Sequence, residues 1–400
     1  MINGFTARVP RYLYLLVLIS GLAMLCPKIR ACFLMLGERW LYIMVLSFVL
    51  SFSFTPVFRY LAIRWKLLDR PDERKIHKQA TPLLGGAPVF LAFTVGILVN
   101  GIYSERLFAI LAGSALVFIA GIIDDFREIP ASIKLLVQLF ATALVMCFGI
   151  VLRVFPEGLG LFAQVANVLL TLLWIVGITN AMNFFDGMDG LATGLGAILS
   201  FFLGVVAFQT GQPFLGWVSV AMVGSCLGFL PYNFRSKKSA SIFLGDGGST
   251  LIGYVLACLA AYGDWSENNR IVSLASPLLI FWILIFDMVY ITVDRILRGK
   301  VLNLREWLEY VGRDHLHHRL SVVLGGAKKT VLLIYLISLT LGMSAVVLRN
   351  ARTMDAVLLL LQALMIVAIL TILERYGRRL AESRYDMNGK RDETGKKFGL

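Results

Sequence analysis

Residues 162–194, FAQVANVLLTLLWIVGITNAMNFFDGMDGLATG, join a long apolar run to a short polar segment. The run from 162 to 179 approaches the roughly 20 residues that an α-helix needs to cross a bilayer. The polar segment brings four amide or carboxyl side chains and two glycines together: Asn180, Asn183, Asp186, Asp189, Gly187 and Gly190. Because an unpaired charge in an apolar medium costs several kcal/mol, these side chains indicate a functional site at the end of a membrane helix.

The whole chain has the composition of an integral membrane protein. Its 400 residues are 58% hydrophobic and only 16% charged, and the mean hydropathy is +0.78. Apolar runs recur along its length and leave no room for a separate soluble domain, so we predict an all-α polytopic membrane protein with eleven spans. The predicted spans are 41–62, 84–103, 107–123, 134–152, 162–179, 191–208, 214–232, 249–263, 271–293, 331–348 and 356–374.

The distribution of basic residues predicts the orientation of these spans. The connections that follow the odd-numbered spans, together with the C-terminal tail, contain 27 Lys and Arg residues, whereas the opposite connections contain five. Basic residues are retained on the cytoplasmic side of a membrane, which assigns the first set to the cytoplasm. The net charge of +13 therefore reflects topology and anionic lipid headgroups, and we expect no nucleic acid partner.

The ends of the chain differ from its middle. Residues 12–26, YLYLLVLISGLAMLC, follow two arginines and are typical of a signal peptide or a short anchor. No small-x-small cleavage motif follows, so a retained twelfth span is favoured over a removed segment. We expect an N-terminal extension over 1–40, a multi-span domain over 41–374 and a polar cytoplasmic tail over 375–400. The five cysteines form no C-x-x-C motif and are interpreted as small apolar residues.

Ten of the fourteen aspartates and all four histidines fall in the predicted cytoplasmic connections or at the span ends that border them. The residues concerned are Asp69, Asp72, Asp124, Asp125, Asp186, Asp189, Asp246, Asp287, Asp294, Asp314, His77, His315, His317 and His318. A secondary transporter would instead place its important charges near the middle of the membrane, on broken helices. The distribution favours one site on the inner face.

The pair Asp124–Asp125 lies where GIIDDFREIPASIK, residues 121–134, ends a predicted span. Adjacent carboxylates repel each other unless a proton or cation lies between them, and hard ions such as Mg²⁺ prefer oxygen ligands. Taken alone, such a pair is more often a solvated helix end than a metal site.

The stretch SIFLGDGGSTLIGY, residues 241–254, places Asp246 in a glycine-rich turn ahead of a predicted span. Gly245, Gly247 and Gly248 permit positive φ and would let backbone N–H groups approach a phosphate at a helix start. The alternative is a simple helix-entry turn capped by Ser249. Neither this stretch nor GGAKKT, residues 325–330, matches a P-loop.

The polar part of the opening segment allows two interpretations. In the opening segment, a spacing of three residues spreads side chains over half of a helix circumference, and the glycines predict that the helix ends near Asp186. Two Asp-Gly turns are the alternative, but they leave the asparagines unexplained.

The stretch GRDHLHHRL, residues 312–320, contains three of the four histidines. No cysteine nearby completes a zinc site, and contacts to phosphate fit better.

Together these segments resemble the polyprenyl-phosphate N-acetylhexosamine-1-phosphate transferases of glycosyltransferase family 4, over residues 41–374. The resemblance is carried by DRPDERKIHKQATPLLGG at 69–86, Asp124–Asp125 with Lys134, NAMNFFDGMDGLA, GFLPYNF leading to IFLGDGGS, Asp287 with Arg295, and HLHHRL. The H-x-H-H form is similar to the branch that transfers GlcNAc-1-phosphate. VLNLREWLEYVG, at 301–312, is longer than the usual spacer, and we expect an interfacial helix there.

The resemblance implies a reaction and its participants. Such enzymes move a sugar-1-phosphate from a UDP-N-acetylhexosamine to undecaprenyl phosphate and release UMP, starting cell-surface glycan synthesis at the bacterial inner membrane. It implies Mg²⁺ as cofactor, with Mn²⁺ as an alternative, and allows a homodimer. GalNAc, QuiNAc, FucNAc or MurNAc-pentapeptide remain alternative sugars. Of other classes, a secondary transporter stays open, whereas a CDP-alcohol phosphotransferase requires an Ala-Arg that DGMDGLATG lacks.

The resemblance also assigns roles to residues. Metal ligands would be Asp246, Asp186 and Asn183. Catalytic residues would be Asp124, Asp125, His315, His317 and His318, with one aspartate activating the lipid phosphate or, in a two-step scheme, acting as nucleophile. Substrate-binding residues would be Lys75, His77, Lys134, Asn180, Asp189, Phe243, Gly247, Arg295 and Arg319, with Phe243 stacking on uracil.

Overall fold

The computed structural model describes residues 11–69, 80–235, 238–266, 270–303, 306–307, 310, 312, 314–348 and 351–395. Its helices are α1 (Arg11–Met24), α2 (Pro27–Met35), α3 (Arg39–Arg64), α4 (Gly86–Val99), α5 (Glu105–Phe126), α6 (Ala131–Cys147), α7 (Leu161–Phe184), α8 (Leu191–Gln209), α9 (Pro213–Asn233), α10 (Gly245–Tyr262), α11 (Arg270–Ile280), α12 (Trp282–Leu297), α13 (Leu316–Leu324), α14 (Ala327–Val347) and α15 (Thr353–Gly395). The all-α prediction is confirmed.

The membrane spans agree with the hydropathy pattern in position. A helix lies at each of the eleven predicted places. Among the described residues, seven helices are long and apolar enough to cross a bilayer: α3, α5, α7, α8, α9, α14 and the first part of α15. The bent pair α11 and α12 makes an eighth if it is one span, and α4 and α6 are apolar but shorter. The polytopic architecture is therefore confirmed, whereas the count of eleven stays a prediction.

Two helices differ in shape or length from the predicted spans. The ninth span, expected to be continuous over 271–293, is broken into α11 and α12, which meet at an angle of 77°. The break at Phe281 lies one turn after Pro277, whose ring removes a backbone donor from the helix. The apolar part of the last helix, Thr353–Tyr376, covers the predicted span 356–374, and the helix continues beyond it to Gly395. At the other end, α1 has 14 residues, fewer than the roughly 20 needed to cross a bilayer.

Helix α10 forms the centre of the bundle. Its residues from Gly247 to Ala261 are all buried. The start of α10 lies directly against two neighbours, because glycines face each other there: a Cβ on Gly121 of α5 would overlap the backbone of Gly247, and a Cβ on Gly86 of α4 would overlap Gly248. This close approach brings the end of α5 beside the start of α10.

A short β structure joins the segment before α4 to the segment before α10. Strands β1 (Leu68–Asp69) and β2 (Thr81–Pro82) pair antiparallel. The chain after β2 then pairs with Phe243, whose N–H donates to Pro82 O at 2.8 Å and whose carbonyl accepts from Gly85 N–H at 2.9 Å. The predicted binding residues Lys75 and His77 fall between β1 and β2, outside the described residues.

Candidate active site

Aspartates from three separate segments converge where α5, α7 and α10 meet. Asp125, near the end of α5, accepts the backbone N–H of Asp246 at 2.9 Å. The carboxyl group of Asp246 lies within hydrogen-bonding reach of Asp124. Asp186, which follows α7, accepts the backbone N–H of Gly245. The acidic residues singled out by sequence at four positions thus form one cluster.

The start of α10 differs from the sequence-based expectation. The helix begins at Gly245, and Ser249 lies inside it with its hydroxyl donating to Gly245 O at 3.1 Å. Of the three glycines, only Gly245 has a positive φ, of 78°. The free N–H groups of the first turn are accepted by Asp125, whose Oδ2 also lies 3.4 Å from Gly247 N. The interpretation of Ser249 as the cap is wrong, because the capping group is the carboxylate of Asp125 on α5, 121 residues before Asp246.

Lys134 and Asn183 support the aspartate cluster. The Nζ atom of Lys134 forms an ion pair with Asp124 and lies 3.3 Å from Asp246 Oδ2. Asn183 hydrogen-bonds to Asp246 and donates to Ser249 Oγ at 3.0 Å. One ammonium group is therefore shared between two carboxylates.

The cluster carries more negative charge than this lysine balances. Burial raises the pKa of the Asp186 carboxyl well above its ordinary value, and the charges of Asp246, Asp125 and Asp189 raise it further. Carboxylate and amide oxygens are the ligands that Mg²⁺ prefers, so Asp246, Asp186 and Asn183 fit a hard divalent ion in their chemistry. Within the described ranges, no three His, Cys, Asp or Glu side chains are grouped as a metal site, and Mg²⁺ stays a prediction.

A cavity of about 810 Å³ opens beside the cluster. It is lined by Asp69, Leu83, Asp125, Asp186, Gly187, Met188, Asp189, Asn233, Lys238, Ser239, Phe243, Gly245, Asp246, His318, Gly326, Ala327, Lys328 and Lys329. Sequence reasoning missed all three lysines: Lys328 and Lys329 lie in GGAKKT, which was tested only as a P-loop, and Lys238 lies outside every motif. The cavity therefore combines carboxylates, an aromatic ring and ammonium groups. In their chemistry these groups suit a cation, a nucleobase and the phosphates of a nucleoside diphosphate.

A second, smaller space adjoins Asp246 between α5, α6, α7 and α10. It measures about 20 Å³, and its polar lining consists of Lys134, Gln138, Asn180, Asn183, Asp246 and Thr250. Asn180 donates to Gln138 Oε1 at 2.6 Å, so Gln138 is a further polar residue that the motifs did not reveal. On the same helices Ile123 and Leu136 are 48% and 68% exposed, as lipid-facing residues are. Asp246 thus lines both the large cavity and this water-sized space, which lies close to the apolar surface.

Asn233 joins the aspartate loop to the segment that carries Phe243. Its Oδ1 accepts from Gly190 N–H and from Thr193 Oγ1, both at 3.0 Å, and its Nδ2 donates to Ile242 O at 3.1 Å. Asp189 adds a parallel connection, because its Oδ2 accepts the N–H of Ala240 at 2.7 Å. Asn233 is the asparagine of GFLPYNF, and the sequence motifs did not reveal its place in the site.

The three clustered histidines lie in different environments. His318 lines the large cavity. His317 is fully buried against Phe185 and Gly187, and burial together with the neighbouring His318, His315 and Arg319 lowers its pKa well below the ordinary value. His315 stacks on Phe184, with ring centroids 4.8 Å apart. The cluster therefore packs against the segment that leads into Asp186.

The two predicted arginines are held by other side chains. Arg295 binds Asp314 through two bonds of 2.8 Å, which lowers the pKa of Asp314 although burial raises it. Arg319 lies 4.0 Å above the ring of Tyr290 and 3.4 Å from Glu374 Oε2. Neither arginine is among the described residues that line the cavity. The interfacial helix expected over 301–312 falls largely on residues outside those described.

Comparison with known proteins gives consistent results. Residues 107–264 match the family model Glycosyl transferase family 4. A Bacillus subtilis protein named probable undecaprenyl-phosphate N-acetylglucosaminyl 1-phosphate transferase is 35% identical over 329 residues, covering 79% of this chain and 88% of that protein. The decaprenyl-phosphate N-acetylglucosaminephosphotransferase of Mycobacterium tuberculosis is 32% identical, covering 89% and 94%. The undecaprenyl-phosphate alpha-N-acetylglucosaminyl 1-phosphate transferase of Escherichia coli is 31% identical, covering 67% and 73%.

Proposed function

The chain belongs to glycosyl transferase family 4, and from this premise we propose that it transfers N-acetylglucosamine-1-phosphate from UDP-GlcNAc to undecaprenyl phosphate, releasing UMP. The observation that carries the proposal is the convergence of Asp124, Asp125, Asp186 and Asp246 beside a cavity that is also lined by ammonium groups and the Phe243 ring. The excess of basic residues on one set of connections supports a site that faces the cytoplasm of a bacterial inner membrane.

The two spaces around Asp246 suit two different substrates. A UDP-sugar is soluble and fits the cavity of about 810 Å³, where Phe243 can stack on uracil and His318 can hold a phosphate oxygen. The acceptor phosphate must stay attached to a membrane lipid, and the space beside Lys134 and Asn180 lies on the same helices as the exposed Ile123 and Leu136. At about 20 Å³ this space holds a single water molecule, so it has to widen to admit the phosphate. In this arrangement, the acceptor phosphate and the sugar diphosphate meet at Asp246.

Asp246 and Asp186, with Asn183, would hold Mg²⁺. When bound, the ion would offset the negative charge of the diphosphate and of the departing UMP. The oxygen-only donor set supports this assignment, as do the burial and the crowding of carboxylates that together raise the pKa of Asp186. The amide of Asn183 adds a ligand without adding charge.

The remaining residues of the cluster would position the acceptor. Lys134 binds an oxygen of the lipid phosphate, and Asp124 holds the Lys134 ammonium in place. The lipid phosphate oxygen attacks the phosphorus atom that carries the sugar, a new P–O bond forms, and the bond to UMP breaks. Both oxygens of Asp125 face N–H groups of α10, which favours direct attack over an Asp125 nucleophile.

The test is an assay of the purified protein with labelled UDP-GlcNAc, undecaprenyl phosphate and MgCl₂. We expect labelled lipid and UMP in equal amounts, and no product after chelation of divalent ions. Other UDP-sugars run in parallel identify the preferred donor. Release of UDP in place of UMP, or uptake of a solute into vesicles without a lipid product, would contradict the proposal.

A further inference from the structure

A buried carboxylate outside the cavity contacts the histidine helix α13. Asp287 lies on α12, beyond the 77° break, and none of its surface is exposed. Its Oδ2 lies 2.8 Å from His315 Nδ1, and its Oδ1 accepts the backbone N–H of Leu316 at 2.7 Å. The reaction described above makes no use of this residue.

The contact with Leu316 completes the start of α13. The first N–H groups of a helix have no partner inside it, and a side chain at the N-cap usually accepts one of them. The N-cap residue of α13 is His315, which makes no such bond. Asp287 supplies the missing acceptor from another helix, and its negative charge also favours the positive end of the helix dipole.

The contact with His315 fixes a proton. An ionised carboxylate can only accept hydrogen bonds, so the ring nitrogen facing Asp287 must carry a hydrogen. This is the same relation by which a carboxylate sets the tautomer of a histidine that binds a metal. With Asp287 ionised, Nδ1 carries the hydrogen and Nε2 is the ring nitrogen without one.

Further charges surround this carboxylate. Arg319 Nη2 lies 3.9 Å from Asp287 Oδ1, and Glu374 of α15 lies on the other side of that guanidinium. Burying a carboxylate is costly unless it is hydrogen-bonded and paired, and here both conditions are met. The contacts of Asp287 connect the bent helix α12 to α13, on which His318 faces the cavity.

We propose that Asp287 is a positioning residue: it anchors the start of α13, keeps the hydrogen of His315 on Nδ1, and so places His318 against the substrate. The kinetic part of this inference rests on the proposed function, whereas the protonation state of His315 does not depend on it.

The protonation state is tested by ¹⁵N NMR with selective labelling of the four histidines. His315→Gln assigns the resonances, and the spectra are recorded well above the ordinary histidine pKa of about 6.5. We expect a hydrogen on Nδ1 of His315 in the wild-type protein. In Asp287→Asn, the amide oxygen accepts from Leu316 and the amide NH₂ faces the ring, so the hydrogen should move to Nε2. A wild-type His315 without a hydrogen on Nδ1 overturns the proposal, even if the variant does not fold.

The consequence for turnover is tested with the same variant. Asp287→Asn should lower kcat about tenfold or more, with the KM for UDP-GlcNAc changed less than about threefold. Asp294→Asn is the matched control, because Asp294 lies on the same helix and pairs with the exposed Arg298. A shifted tautomer with unchanged kcat would refute the positioning role. If the wild-type enzyme makes no lipid product, the proposed function fails, and the NMR result still decides the tautomer.

Discussion

The aspartate cluster and the histidine cluster lie close together but are built in opposite ways. Around Asp246, four carboxyl groups lie beside the single ammonium group of Lys134, which two of them share, and the cluster borders a cavity. Around α13, Asp287 faces His315 and Arg319, and Asp314 faces Arg295, so each of these two carboxylates has a basic partner, and Glu374 lies beside the same Arg319. Unbalanced charge beside an open space indicates a place for a ligand, whereas balanced charge between helices indicates a scaffold.

The strongest test of this difference removes charge from the unbalanced cluster. Asp246→Asn and Asp186→Asn should each lower kcat by a factor on the order of 10² to 10³, because they remove charge where the reaction needs it. The measurement is the formation of labelled lipid, at equal amounts of folded protein. Asp264→Asn, in the connection after α10 and hydrogen-bonded to Ser273, is the control and should keep normal turnover. Normal turnover in both cluster variants would remove the basis of the assignment.

The balanced cluster should respond through stability. Asp314→Asn leaves the buried guanidinium of Arg295 without its carboxylate, which costs about 3 kcal/mol. We expect a melting temperature lower by several degrees. The measurement records the loss of monodispersity during heating. Asp294→Asn breaks a partly exposed pair with Arg298 and should lower the melting temperature much less. Equal shifts in the two variants would contradict the distinction between buried and exposed pairs.

The pH dependence of stability should also separate the two regions. Because the pKa of Asp186 is raised, its neutral carboxyl stabilises the fold fully at low pH, and this contribution is lost as pH rises through the raised pKa. A divalent ion that binds the ionised form compensates for that loss. The increase in melting temperature caused by saturating MgCl₂ should therefore grow with pH. Asp186→Asn should remove this growth, and a pH-independent increase in the wild type would count against a metal site here.

The smallest expected effects come from the lysines on the cavity wall. Lys329→Ala should raise the KM for UDP-GlcNAc about three- to tenfold with little change in kcat, because it weakens attraction to a charged ligand in a partly solvated place. Lys300→Ala is a suitable control, since Lys300 lines a separate pocket beside Arg319. An unchanged KM would exclude Lys329 from the binding site.

The sequence predicted the fold class and much of the site, for a physical reason. Spans are marked by hydropathy and sorted by basic residues, so acidic residues at cytoplasmic span ends could be expected to lie on one face. Asp125 as the cap of α10, and Asn233 as the connection between Gly190 and Ile242, could not be foreseen. Both depend on tertiary contacts between segments far apart in the chain, and no local pattern records them.

Corrections arose where tertiary structure overrides local signals. The 77° break at Phe281 leaves the hydropathy of the ninth span unchanged, because both halves are apolar. Arg295 and Arg319, predicted to bind substrate, contact Asp314, Tyr290 and Glu374 and do not line the large cavity, so their role in binding stays a prediction. The charge of a residue is visible in sequence, whereas the partner that occupies it is not.

The backbone contact of Gly121 with Gly247 has a consequence for redesign. Two helices that touch through main-chain atoms share a seam that contains no side-chain torsions, so it cannot adapt to a new ligand by a change of rotamer. The wall of the cavity formed by residues 238–239 and 326–329 has side chains that can change size and charge. Libraries aimed at accepting other sugars should therefore vary that wall and leave the glycine seam untouched.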